Sequence, residues 1–212
     1  MKRSLLAVLA VTGGFALACG FLDSEAATVT YEWDVPMTFT VDADQLCPAD
    51  ADCQGDTVPA QQDQTLAKLE FGVPVDILEA TDNQDLQGLA QRLRSIEITS
   101  IDYASKDNSL TFDLPDMEIY VAPLGTSDPE DGTAVHLTTI PTIAAATNTS
   151  GRATVEEANR GAASEIFKTL QYTAIPSAQP VVKEGQPFPP SGTSEIELTV
   201  NLRIVANPLD SL

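Results

Sequence analysis

Between Ser95 and Pro123 the chain reads SIEITSIDYASKDNSLTFDLPDMEIYVAP, and apolar side chains recur there at every second position. Ile96 and Ile98 lead to Ile101 and Tyr103, then come Leu110, Phe112 and Leu114, then Met117, Ile119 and Val121. A two-residue period puts alternate side chains on opposite faces of a strand, so each run describes a sheet with one buried and one wet face. Such alternation favours antiparallel strands over a parallel sheet buried on both sides. Lys106 to Ser109 reads as a turn, and Pro115-Asp116 as a break without a loop. The pattern predicts a central antiparallel meander. Its parity shifts between Ile98 and Ile101, which places a bulge near Ser100.

The same period appears on both sides of this stretch. Val29, Tyr31, Trp33, Val35, Met37, Phe39 and Val41 alternate with mostly Thr, Glu and Asp, with Trp33 facing the core and Pro36 on the wet side marking an edge or a bulge. Leu69, Phe71, Val73, Val75 and Ile77 form a second strand. Val135 and Leu137 begin another, which leaves His136 facing solvent. Tyr172 to Ile175 and Val181-Val182 have strand character, and Ile196 to Ile204 closes the chain with the cleanest alternation of all. Two segments change to helical spacing. Asp82 to Arg94 carries Leu86, Leu89, Ala90 and Leu93 behind a capping Asp85, and Val155 to Leu170 carries Ala158, Ala162, Ile166 and Leu170. The fold class expected is mainly β, an antiparallel β-sandwich with two short α-helices.

Charge narrows the partners. Thirty-one acidic residues against eleven basic ones give a formal charge of −20, which repels nucleic acid and anionic membrane surfaces alike. A basic protein partner is compatible with it, and so is plain solubility.

The first residues carry an address. Lys2 and Arg3 precede an apolar run from Leu5 to Ala18, too short for the ~20 residues that a spanning helix needs. Ala16-Leu17-Ala18 then meets Cys19. A basic start, a short apolar stretch and small residues at a cleavage point describe an export signal. The cysteine placed directly after it resembles the lipobox of bacterial lipoproteins, with Ala16 where that family usually has Leu. The resemblance covers only about the first twenty residues and implies that Cys19 is lipidated and becomes the new N-terminus. It implies residues 1–18 as signal peptide, 19–26 as lipidated cysteine and tether, and 27–212 as a single β-sandwich domain. Gly20, where enteric lipoproteins retained at the inner membrane carry aspartate, implies delivery to the outer membrane, facing the periplasm or the exterior. Ordinary cleavage at the same Ala-x-Ala, leaving a soluble protein, is the alternative.

Three cysteines are present. Lipidation of Cys19 leaves Cys47 and Cys53 as an even pair, which in an exported protein is expected to be a disulfide. Around them, Asp50, Asp52 and Asp56 with Gly55 occupy the first, third, seventh and sixth places of a spacing that resembles calcium loops, although Gln61 stands where a bidentate glutamate closes such loops. A solvated acidic loop is the plainer reading of the same residues. No other cofactor is implied.

Catalytic motifs are missing. There is no nucleophile elbow, no His-Glu-x-x-His pair and no phosphate-binding glycine loop. Asp113 and Asp116 resemble a glycosidase pair no more than chance provides in so acidic a chain. The expectation is therefore a non-catalytic binding or structural module, anchored to the bilayer through Cys19. A carrier with a cavity between sheets and helices for lipid or another hydrophobic ligand is the alternative, and a hydrolase of unrecognised type the third class.

Overall fold

The computed structural model describes residues 28–47, 57–58, 63–81 and 93–207. Two antiparallel sheets pack face to face, as the alternation predicts. The first has the order β1-β11-β5-β8, with β1 at Val29–Asp42, β5 at Leu93–Lys106, β8 at Ser150–Ala153 and β11 at Thr193–Ala206. β1 and β11 pair over all 14 residues, from Val29 against Ala206 to Asp42 against Thr193. Their inward rows interdigitate in the core through Val35, Met37, Phe39 and Val41 on one strand and Ile196, Leu198, Val200, Leu202 and Ile204 on the other. Trp33 is half-buried and packs against this core, its ring 6.0 Å from that of Tyr31. β1 is an edge strand, which is where Pro36 can omit an amide without breaking a central ladder. Opposite Asn201 and Leu202, β5 offers Ser100 and then Ile98. Thr99 is the extra residue, so the bulge lies where the parity shift predicted it.

The second sheet joins β3 (Leu69–Glu70), β9 (Gln171–Ala178), β6 (Met117–Pro123) and β7 (Val135–Ile140), with β4 (Val73–Asp76) pairing along the same edge of β9. A separate two-strand ribbon joins β2 (Gln64–Thr65) to β10 (Val181–Val182). The meander is corrected here. β5 and β6 belong to opposite sheets, and residues 107–116 carry the chain across between them. Leu110, Phe112 and Leu114 are fully buried as their alternation requires, yet they form no ladder strand; only Leu114 makes a bridge, to Ile143. The period reports burial on one side, and a crossing segment pinned between two sheets shows it as well as a strand does.

The expected strand from Leu69 to Ile77 is likewise divided. Gly72 lies so close to its neighbours that a Cβ would meet Thr173 Cγ2 at 2.9 Å, and Ile77 starts helix α1 (Ile77–Thr81) instead of ending a strand. Asp76 caps that helix, its Oδ1 accepting from the amides of Leu78 at 2.9 Å and Glu79 at 3.2 Å. Of the helix expected at Asp82–Arg94, Leu93 and Arg94 open β5, and the rest lies outside the described residues. The later helix is shorter than its pattern, α2 at Glu157–Phe167. It is stopped by a reversal in which Leu170 takes a φ of 61° and its carbonyl accepts from the Ile77 amide. Ala163 and Phe167 turn inward, and the Phe167 ring lies 4.5 Å from Tyr172. With Phe112, Met117, Ile119 and Leu137, these side chains fill the space between the sheets.

Candidate functional site

The outward face of the first sheet is a self-satisfied polar surface. Arg203 lies between Glu97, at 3.2 Å, and Glu32, at 4.0 Å. Arg152 grips Asp102 with two bonds of 2.7 and 3.2 Å, and Lys106 pairs with Glu197. Asn201 Nδ2 adds a bond to Asp102 at 3.0 Å. The Arg152 bond, with help from Asn201, holds the Asp102 carboxyl below its ordinary range. Exposed cross-strand pairs of this kind contribute only ~0.2–1 kcal/mol each. Their consequence is that the wet strand faces, although rich in acids, carry their cations already paired.

Negative charge concentrates on the outward face of the second sheet. Glu70 and Glu118 both stand opposite Ser177, and Tyr120 opposite Ile175. On the other flank Glu118 faces Thr139 and Tyr120 faces His136. The register slips there, because Ile119 pairs with Thr138 and Tyr120 already with His136. Leu137 is the extra residue, and Leu137 and Thr138 are both buried. This bulge turns His136 and Thr139, three residues apart, to the same side, where His136 Nε2 and Thr139 Oγ1 are 3.2 Å apart. His136 is thus half-buried rather than a free surface residue, its ring 5.3 Å from that of Tyr120 at 67°.

These strands line a cleft of about 410 Å³ bounded by Lys68, Asp116, Glu118, Tyr120, Glu130 and Gln179, among others. Tyr120 donates to Glu118 Oε2 at 2.7 Å. Burial first, then that bond and the charges of Glu118, Glu70 and Glu130, push its hydroxyl up to about 12. Lys68 pairs with Glu70; that bond, with the fields of Glu70, Glu130 and Asp128, raises its ammonium above the ordinary value. At neutral pH the cleft therefore offers carboxylates, one protonated phenol and one charged ammonium. It suits hydrogen bonding to a polar or cationic group. Among the described residues no carboxylate bonds to the His136 ring.

The acid pair Asp113 and Asp116 acts on the backbone. Asp113 accepts from the Ala145 amide at 3.0 Å, and Asp116 from the amide and hydroxyl of Thr142 at 2.7 and 2.8 Å. The two carboxylates tie down the segment after β7. Cys47 is half-buried behind the 3₁₀ turn Ala43–Gln45, and its expected partner Cys53 lies outside the described residues. So do Cys19 and the calcium candidates Asp50, Asp52 and Asp56. Among the described residues no cluster of His, Cys, Asp and Glu is arranged to hold a metal, and no helix is long and apolar enough to cross a membrane.

No family model matches the chain, and no curated protein matches it. Among solved structures it is similar to Desmodium yellow mottle tymovirus, with 10% identity and a TM-score of 0.30 over 97% of this chain and 95% of that one. It is also similar to Macrobrachium rosenbergii nodavirus, with 9% identity and a TM-score of 0.31 over 98% of this chain and 60% of the other. A likeness this slight assigns neither kinship nor function.

Proposed function

We propose that this chain is an exported, lipid-anchored protein of the cell envelope, delivered to the outer membrane, whose sandwich is a non-catalytic binding or structural module. The observation that carries the choice of module over carrier is the packing between the sheets. Phe112, Phe167, Tyr172, Met117, Ile119 and Leu137 are all fully buried and in mutual contact through one continuous core, whereas the clefts at Glu118 and Leu124 open to solvent on the outside. A carrier needs its apolar volume inside. The acidic cleft beside Tyr120 suits a basic protein partner, and the net charge of −20 disfavours nucleic acid.

Within this reading Cys19 holds the protein to the bilayer, and Cys47 and Cys53 form a disulfide that stiffens one loop by ~2 kcal/mol. Asp50, Asp52 and Asp56 belong to a solvated acidic loop in the main reading; calcium there is the minor one, and its affinity would be weak, near ~10⁻⁴–10⁻³ M as in extracellular sites.

Three experiments test it. Cys19→Ala should move the protein from the membrane fraction to the soluble one, and membrane retention after a carbonate wash would count against the anchor. Binding of a polylysine probe should weaken steeply with salt and fall in Glu118→Gln/Glu130→Gln, because exposed charges are screened beyond ~8 Å at physiological ionic strength. Equal binding by the double variant would remove the cleft as the docking point. Hydrolysis of an ester or polysaccharide panel, abolished by a single substitution, would overturn the non-catalytic reading.

A further inference from the structure

β1 borders the first sheet, and its backbone is paired on one side only. Asn201 O accepts from Thr99 Oγ1 of β5 at 3.0 Å, so the backbone of Asn201 points toward β5. Successive residues of an antiparallel strand point their N–H and C=O groups to opposite sides. The even-numbered residues of β11 therefore bond to β1, and they stand opposite its odd-numbered residues, as Val200 does Val35. Ala43 continues that row, donating its amide to Gly192 O at 3.0 Å. The even-numbered residues of β1 are left facing away from the sheet, and Pro36, with no N–H to give, is one of them. Among the described residues nothing bonds to the outward amides of Thr30, Glu32, Asp34, Thr38 and Thr40.

Part of this edge is closed. Pro36 and Pro74 of β4 line one cleft. Ile77 donates to Leu170 O at 2.9 Å on the β9 side, so Pro74, three residues earlier, turns its nitrogen away from β9. A proline nitrogen at each of two edges interrupts any ladder built in that cleft. From Thr30 to Asp34 no proline intervenes. The Glu32 side chain is 79% exposed there, with Arg203 at 4.0 Å, and Asp34 stands on the same wet face, opposite Asn201. On the other face the half-buried rings of Tyr31 and Trp33 lie 6.0 Å apart.

We infer that the Thr30–Asp34 edge takes an added strand from a basic partner, an extended segment in which Lys or Arg alternates with apolar residues. Main-chain bonds give such an addition its affinity, and alternate side chains give it its choice of partner. The basic side chains lie beside Glu32 and Asp34, and the apolar ones against the flanks of Tyr31 and Trp33. A second copy of this chain does not suit the edge. Antiparallel pairing of two such edges sets Glu32 and Asp34 against their own counterparts, and like charges placed opposite one another destabilise a sheet. The two acids thus keep copies apart and admit a cation-bearing strand. This edge is separate from the cleft at Glu118 and takes from the reading above only that the partner is basic.

The test uses the full chain and a capped peptide, Lys-Val-Lys-Val-Lys-Val-Lys, at low salt. Trp33 is the only tryptophan, so its emission reports binding at this edge. Two further peptides carry N-methyl groups, one on every lysine and one on every valine. Only one alternate row of amides can face β1, so one of the two should bind like the parent peptide and the other should not. Binding should slow hydrogen exchange at Thr30, Glu32 and Asp34. Glu32→Pro, which like Pro36 removes no bond to β11, should weaken binding on the order of tenfold, and Glu32→Gln, which removes charge alone, by less. Binding read at Trp33 should be the same in Glu118→Gln/Glu130→Gln. Equal binding by both methylated peptides, or unchanged exchange at the three amides, overturns the added strand. Binding lost in the Glu118→Gln/Glu130→Gln variant and kept in Glu32→Pro overturns it too, while leaving the basic partner in the cleft. If neither this peptide nor polylysine binds, both readings fall. Should Glu32→Pro fold poorly, the methylated peptides and the exchange rates of the unaltered protein decide.

Discussion

Gly192 should tolerate no side chain. It precedes β11 with a φ of 95°, in the region that L side chains rarely enter, and a Cβ there would lie 2.1 Å from Ser109 O, 2.5 Å from Ser109 C and 2.9 Å from Leu110 N. All three obstacles are backbone, so no rotamer change can make room. The segment it presses on is the start of the crossing from one sheet to the other. That segment is fixed by Ser109 N donating to Thr193 O at 2.8 Å, Thr111 N to Ser191 O at 3.0 Å and Thr193 N to Ser109 Oγ at 2.9 Å. Gly192→Ala adds a conformational cost of about 1–2 kcal/mol. Relieving the clash must also pull the two segments apart, at about 1 kcal/mol for each hydrogen bond lost. The total is about 3–5 kcal/mol, which for a domain of this size lowers Tm by on the order of 10 °C.

Two other glycines separate those contributions. Gly185 has a φ of 78° with nothing within 4 Å of its Cβ position, so Gly185→Ala meets the conformational cost alone. Gly161, in α2, is equally open and has no such φ; Gly161→Ala should raise stability by about 1 kcal/mol. Calorimetry of the three variants should rank them Gly161→Ala above the parent, then Gly185→Ala, then Gly192→Ala well below. If Gly192→Ala melts no lower than Gly185→Ala, the approach of residues 191–193 to 109–111 is wrong, and with it the path of the crossing.

Among the described residues the buried hydroxyls of Tyr172 and Ser194 have no hydrogen-bond partner, so Tyr172→Phe and Ser194→Ala should each hold or raise the denaturant midpoint, by up to ~1 kcal/mol; a loss of that size would reveal a bridging water. Ultraviolet titration should find one tyrosine ionising at about 12 that is absent from Tyr120→Phe. Because that folded value is raised, the stability it contributes is complete below the unfolded value near ~10 and is lost as pH climbs between the two, so the parent should lose more stability than Tyr120→Phe over that window. Asp102 is held low by Arg152 and Asp76 by Gln171. Their contribution is complete above the unfolded value near ~4 and disappears as pH falls through the folded one, so Asp102→Asn should flatten the acid limb of the stability curve, and an unchanged limb would deny the Arg152 pair that role.

The long strands were legible because each has a single buried face. β1 and β11 keep one parity for 14 residues, and β5 slips at Thr99 and again at Arg94 near its start; the first slip is the one its parity shift placed. The same cue misled at Leu110 to Leu114, since alternation records which side is buried and says nothing about which neighbour supplies the cover. β9 shows the reverse failure. Its residues from Tyr172 to Ala178 are all buried, because the core covers one face while the loop after β6 reaches over the other, with Gly125 N donating to Thr173 Oγ1 at 3.0 Å. A strand covered on both sides loses its period. Thr173, Pro176 and Ser177 break the apolar run besides, so only Tyr172 to Ile175 could be read.

The cleft was invisible for a different reason, and that reason bears on how it works. Its walls come from β6, β7, β9, the loop after β6 and the residues Lys68, Asp116 and Gln179 that flank the strands, each contributing one or two polar side chains that look like ordinary wet-face residues in their own segment. Glu118 and Tyr120 are two apart on one strand and necessarily share a face. His136 and Thr139 are three apart, which regular strand geometry would send to opposite faces, and only the extra Leu137 reunites them. The bulge thus couples the two flanks of the site. Removing the slip while Thr139 keeps its place opposite Glu118 would turn His136 inward against the core. The Tyr120 ring would then lose the imidazole that packs on its edge, and the phenol that Glu118 orients would gain freedom to turn. A cleft whose shape depends on one register slip between two strands is more sensitive to that slip than to the identity of any single polar residue within it.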